Sequence, residues 1–152
     1  VLPRAGNLAL NKPFVGSDPN LSGWNGLTDG LWDPAAPGCF ASGKEDKFPK
    51  TVTIDLQQAV SIASLVTATL PNSSTRNVEL SVGQTADGDF KTVDTHEFIQ
   101  GKEEKFTYSF PAVTARFVRL TFKDHYPNGQ YSPLHVFLTE VEVFGPDAAA
   151  QK

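Results

Sequence analysis

The stretch TVTIDLQQAVSIASLVTATL, Thr51–Leu70, decides the fold class. Its first six residues alternate, with Val52, Ile54 and Leu56 on one side and Thr51, Thr53 and Asp55 on the other. A period of two puts one set on a core and the other in water, as in a half-buried strand. Ser61–Leu70 is more continuously apolar and reads as a second strand. Outward from this stretch the same signal recurs. VELSVG (Val78–Gly83) and KTVDTHEF (Lys91–Phe98) flank TADGDF, whose Asp87-Gly88 pair signals a hairpin turn. KFTYSF (Lys105–Phe110) sets Phe106, Tyr108 and Phe110 on one face. ARFVRLTF (Ala115–Phe122) separates Phe117, Arg119 and Thr121 from Val118, Leu120 and Phe122, and VFLTEVEVFG (Val136–Gly145) is the last apolar run. No segment has a helical period with caps at both ends. Strand signals about ten residues apart predict an all-β, antiparallel sandwich. The connections Phe14–Lys50 and Lys123–Leu134 exceed any simple hairpin, and connections of that length are usually functional or pinned.

The 152 residues suit a single domain, expected over 7–145, with residues 1–6 and 146–152 reading as linker ends. Seventeen acids against 13 bases give a net charge of −4. That balance argues against a general nucleic-acid or anionic-membrane binder, which would need a basic surface. No apolar run approaches a membrane span. The sequence lacks methionine, so a processed product or a module of a larger protein is expected. Cys39 is the single cysteine; it makes no intramolecular disulfide and reads as a small buried apolar residue. The fold must then stand on its core or on a metal.

LTDG, Leu27–Gly30, holds an acidic side chain inside a turn signal. Asp29 reads either as an Asx-turn residue or as a ligand of a hard cation. Gly30 would let the backbone fold so that neighbouring carbonyls converge. One carboxylate is too little charge for Ca²⁺, so a second must come from elsewhere. TEVEVFG offers Glu140 and Glu142 on one face, opposite Val141 and Val143. The alternative for Glu140 is a solvent-facing strand position.

NLALNKPF, LTDG, PKTVTIDLQQAVSIASLVT, VELSVGQTADGDFKTV, ARFVRLTF and TEVEVFG, in that order, resemble the coagulation factor 5/8 C-type or discoidin-like domain of the galactose-binding-like superfamily. The chain is closest in character to bacterial family 32 carbohydrate-binding modules and fucose-binding lectins. The resemblance covers roughly Asn7 to Gly145 and implies a jelly-roll sandwich with adjacent termini. The paired cysteines of the blood-clotting members are absent, which favours the bacterial branch; the resemblance to carbohydrate-binding modules implies a secreted or extracellular setting, at the cell surface or in the periplasm. The resemblance also implies a structural Ca²⁺ on Asp29 and Glu140. Carbonyls near Gly26, Leu31 and Thr139 would complete its shell, with a further oxygen from around Ala41 and Ser42.

A sugar site needs an aromatic platform and side chains that hydrogen-bond hydroxyls. In the family these come from loops at one end, here matched by Leu31–Phe48, Pro71–Asn77 and Asp124–Leu134. The parts on offer are Trp32, Phe40, Lys44, Lys47, Arg76, Asn77, His125, Tyr126, Asn128 and Tyr131. Trp32 reads equally as core, Trp24 as exposed between glycines, Arg76 as a solvated charge and Arg119 as a structural bridge. Galactose- and fucose-binding relatives carry a histidine in the loop after the calcium turn. Trp32–Lys50 has none, since the histidines are His96, His125 and His135. Lys44, Lys47 and Lys50 therefore admit a uronic-acid polysaccharide beside a galactoside or fucoside. The leading expectation is a non-catalytic glycan-binding module acting in cis with a parent multidomain protein. The alternative is a structural or protein-interaction module of the same fold. No nucleophile elbow, phosphate loop or catalytic metal cluster argues for an enzyme.

Overall fold

A computed structural model of the protein describes residues 5–35, 38–127 and 132–146. Eight strands follow in order: β1 (Phe14–Gly16), β2 (Phe40–Ala41), β3 (Lys50–Ala68), β4 (Asn77–Gly83), β5 (Phe90–Glu97), β6 (Lys105–Phe122), β7 (Phe137–Leu138) and β8 (Val141–Phe144). No helix occurs among the described residues. The main sheet runs β1-β3-β6-β4-β5 with β8 on the free side of β3, and β2 pairs with β7 separately. All pairings are antiparallel.

Two runs expected as separate strands, Thr51–Leu56 and Ser61–Leu70, form one strand with an interruption. The β3–β6 register slips between Asp55 and Val60, and again between Ile62 and Ser64. At the first slip Gln57 adopts φ 70°, and its N–H donates to the Asp55 carboxylate at 2.7 Å. At the second, β6 carries Pro111, which has no N–H for the ladder. Bulges of this kind bend a strand and increase its twist. The β3–β6 ribbon therefore folds over itself. Its first part lies with β1 and Ala115–Phe122; its second lies with β8 and Lys105–Ser109.

Side chains join the two layers. The Tyr108 hydroxyl donates to the Val78 carbonyl at 3.0 Å, and Phe106 stacks on His96 with ring centroids 3.6 Å apart. The core between them holds Val52, Ile54, Leu56, Val118, Leu120 and Phe122, all buried as the alternation predicts. Each such side chain contributes roughly 1.5–3 kcal/mol by leaving water. Cys39 belongs to a smaller buried cluster with Ala41, Leu70 and Phe137, and burial pushes its thiol up to about 11. Arg119 bridges strands on the outer face, donating to Thr53 Oγ1 at 2.9 Å with its guanidinium 3.7 Å from the Phe90 ring centre.

The two extremities of the fold meet. Leu8 N–H donates to the Val143 carbonyl, and Val143 N–H donates to the Asn7 side chain. Strand partners define one end of the sandwich: Lys50 faces Phe122, Phe122 faces Val78, and Val78 faces His96. Lys105, opposite Ala68, lies beside Phe106 above that row. Described parts of four connections meet here: Lys50 bonds to Asp18 and Leu134, Tyr126 to Ser74 and Phe98, and Phe98 to Arg76.

Candidate functional site

Asp29 and Glu140 come together at the flank of this end. The Asp29 carboxylate closes its own turn by accepting Leu31 N–H at 3.0 Å, and Gly30 takes φ 80°. Glu140 is fully buried, against the solvent-facing alternative for that position. Its Oε2 accepts from Gly30 N–H, while its Oε1 is buried without a hydrogen-bond partner. Burial, the Asp29 carboxyl within hydrogen-bonding reach, and the charges of Asp29 and Glu142 push Glu140 up to about 9. Two carboxyl groups facing each other in a desolvated corner, one with an orphan oxygen, fit a hard cation. Among the described residues no three His, Cys, Asp or Glu side chains cluster around one point. Further ligands would therefore be carbonyl or water oxygens. Of the carbonyls considered from the sequence, Gly26 accepts from Asp29 N–H at 3.5 Å within the same turn. Leu31 is exposed, and Thr139 is buried at the end of β7.

A buried lysine organises the neighbouring loops. Lys50 is only 2% exposed. Its ammonium donates to Asp18 at 2.7 Å, Leu134 O at 2.6 Å, Gly43 O at 3.0 Å and Ser42 Oγ at 3.4 Å. A desolvated ammonium needs acceptors for its three N–H groups, and this set satisfies them all. It is therefore spent on structure and adds no cation to a ligand surface, contrary to its grouping with Lys44 and Lys47. The segment it fixes places Ser42 O between the Asn20 amide, at 3.1 Å, and His135 Nδ1, at 2.8 Å.

Asn20 and His135 border a recess of about 160 Å³, lined also by Trp24, Ala41 and Phe137. Trp24 meets Phe137 edge-on, with centroids 5.8 Å apart. The lining combines an aromatic wall with an amide and an imidazole, the ingredients of a sugar site. Nothing local in the sequence marks Asn20 or Phe137 as site residues, Trp24 between its glycines suits exposure or burial equally, and His135 stands out only as lying beyond the calcium-turn loop. The signal was spatial: β2 pairs with β7, so a histidine far along the chain arrives beside Ala41.

The sequence-selected ligand residues fall into separate places. Arg76, Asn77, His125 and Tyr126 do assemble, but largely upon one another. Arg76 Nε donates to Glu97 at 2.9 Å, and its guanidinium lies 5.1 Å from the Tyr126 ring centre. Asn77 donates twice to the Asp124 carboxylate through its side-chain amide. The His125 ring lies 4.8 Å from Phe48, and the Tyr126 hydroxyl donates to Phe98 O at 2.6 Å. Thr75 links this group to the recess, pairing with His125 and bonding to both backbone groups of Phe137. Phe40 is corrected to a core residue: 5% exposed, it packs against Phe14 and Phe122 and offers no face to a ligand. Lys44 and Lys47 are exposed. Trp32 is half-buried beneath Lys105, whose ammonium lies 4.1 Å from the ring centre. Asn128 and Tyr131 lie outside the described residues.

Comparison with known proteins gives this arrangement a family. The chitosan-binding module 1 of a chitosanase/glucanase from Paenibacillus sp. IK-5 is 23% identical, with a TM-score of 0.70, covering 91% of this chain and 98% of that one. A family 32 carbohydrate-binding module from Clostridium perfringens, solved with GalNAc-β-1,3-galactose, is 16% identical, with a TM-score of 0.68, covering 89% and 96%. The family 32 module of AlyQ, solved with 4,5-unsaturated mannuronic acid, is 20% identical, with a TM-score of 0.66 and the same coverage, 89% and 96%. These likenesses establish the sandwich. No curated protein sequence matches. The model of the F5/8 type C domain matches residues 20–135, more than half of the chain. The protein belongs to the F5/8 type C domain family.

Proposed function

We propose that the protein is a non-catalytic glycan-binding module that holds an attached secreted enzyme or surface protein on its polysaccharide. The observation that carries this reading is the recess at the loop end. Half-buried Trp24 supplies apolar ring surface backed by the buried Phe137, the Asn20 amide keeps one N–H beyond its bond to Ser42 O, and His135 offers a second polar edge. A sugar ring has apolar C–H faces and a polar perimeter, so this combination matches both. Relatives solved with chitotriose, GalNAc-β-1,3-galactose and a mannuronic acid support a glycan as the ligand class. A single shallow site binds weakly, and neighbouring modules on one chain would supply avidity.

Asp29 and Glu140 would hold a structural Ca²⁺ in this reading, with carbonyls of the Gly26–Leu31 turn and of Thr139 as further ligands. Bound there, the ion would neutralise the paired carboxylates and tie the turn to β8. The test has two parts. A broad glycan array, probed with calcium-loaded protein, should give hits that Trp24→Ala abolishes while the fold persists. Calorimetric titration of Ca²⁺ into chelator-treated protein should show binding that Asp29→Asn removes. Silence across the array from folded protein refutes the glycan reading; calcium binding unaffected by Asp29→Asn refutes the assigned ligands.

A further inference from the structure

A second recess, of about 290 Å³, lies just past the end of β7. Trp32, Ala68, Glu103, Lys105 and Thr139 line it. Thr139 is 2% exposed, and its hydroxyl is buried with no hydrogen-bond partner. A buried hydroxyl left unmatched costs free energy, and such groups usually have a ligand or water for a partner. Trp32 adopts φ 55°, a conformation uncommon for a bulky residue and often found at ligand sites. The exposed Lys105 ammonium lies over the indole, 4.1 Å from the ring centre, on the rim of the recess. Glu103, also exposed, adds acceptors on the same rim.

The two recesses adjoin. Phe137 lines the first and Thr139 the second. They are two residues apart, so they share the side of the segment opposite Leu138, which packs in the main core. At about 3.3 Å per extended residue their Cα atoms are roughly 6–7 Å apart. Ala68, bonded through its carbonyl to Thr139 N–H, lines the second recess; Leu70, two residues on, packs in the cluster with Phe137 and Trp24.

We infer that the Trp32–Thr139 recess is a second sugar subsite, so that the module reads neighbouring units along one glycan chain rather than a single terminal sugar. The inference rests on the glycan-binding reading proposed above. The subsite is matched to a neutral hydroxylated ring: one cation and one anion balance on the rim, and adjacent hydroxyls can accept from Lys105, donate to Glu103 and pair with Thr139. With the two rim charges balanced, the subsite gains nothing net from a charged sugar over a neutral one.

The two tryptophans of the chain fall one in each recess, so their indole N–H resonances report the subsites separately. Nitrogen-15 spectra of the whole chain, assigned with Trp24→Phe and Trp32→Phe, would be titrated with neutral gluco-, manno- and galacto-configured mono- and hexasaccharides. Oligouronates and glucosamine oligomers would run alongside. The expected result is that a neutral hexasaccharide moves both indole signals. Thr139→Val should weaken its affinity about 3–10-fold, the worth of one hydrogen bond, and leave the monosaccharide response of Trp24 unchanged. Lys105→Gln, at an exposed position, makes the same test should Thr139→Val fail to fold. Movement of the Trp24 signal alone at every length, with both variants neutral, overturns the subsite and leaves glycan binding standing. Movement of Trp32 alone overturns the shared chain, and a response only to charged oligomers overturns the neutral ring. No movement with any glycan overturns both proposals.

Discussion

Glu140 makes the cation-free protein sensitive to alkali. Unfolded, its carboxyl ionises at its ordinary value of 4.5; folded, burial, Asp29 and Glu142 raise it to about 9. The folded state thus keeps a proton that the unfolded state has already released. The stabilising effect of that proton is whole below pH 4.5 and is lost as pH rises through about 9. At pH 7 the loss spans the interval from 4.5 to 7, which at about 1.4 kcal/mol per unit is about 3 kcal/mol. For a chain of this length that corresponds to roughly 6–12 °C in Tm. Glu140→Gln keeps an acceptor for Gly30 N–H and removes the titration. In chelator, calorimetric Tm values from pH 5 to 8 should fall for the parent protein and fall much less for the variant. Millimolar Ca²⁺ should abolish the fall in the parent, because a bound cation favours the ionised pair. Parallel curves for the two proteins in chelator would refute the assignment of the buried proton to Glu140.

Three further outcomes are expected. Lys50→Met strands the Asp18 carboxylate and the Gly43 and Leu134 carbonyls. It should cost on the order of 3–5 kcal/mol in urea unfolding and weaken glycan binding by releasing the Ser42 segment. Phe40→Ala should cost about 3–5 kcal/mol by opening a cavity, with the glycan affinity of any protein that remains folded unchanged. Arg76→Ala removes a salt bridge between side chains 39% and 54% exposed. Its Tm should match the parent, so any loss of glycan affinity, read by calorimetry, reports a direct contact.

Strand identity was legible because alternation survives local irregularity: Val52, Ile54 and Leu56, or Val118, Leu120 and Phe122, announce a buried face wherever they sit. Where one strand stops was not. Asp55–Val60 looked like a boundary, yet β6 continues alongside it, and only the partner strand reveals a bulge. The last run, Val136–Gly145, was read as one strand and is divided between β7 and β8. The pairing of Asp29 with Glu140 came from family resemblance; no local feature of either segment specifies that they meet. Lys50 shows the opposite failure. A lysine in a polar loop region reads as solvated, and its burial depends on acceptors from positions 18, 42, 43 and 134 that composition cannot align. The recess escaped for a similar reason, since Asn20 and Trp24 belong to the connection after β1 and His135 to the one before β7.

The place of β8 governs the order in which the protein can be completed. Val141–Phe144 supplies the outer partner for Ser64–Thr67 of β3, and it follows every other strand of that sheet in the sequence. Until it arrives, the half-formed sandwich presents the Ser64–Thr67 backbone as an open edge, flanked by the apolar Leu65 and Val66. An unpaired edge of this kind recruits strands from other chains. A nascent chain halted before Glu140 is therefore a template for aggregation, and the same short segment that closes the edge delivers the carboxylate facing Asp29. Sheet closure and assembly of that acidic pair are one event.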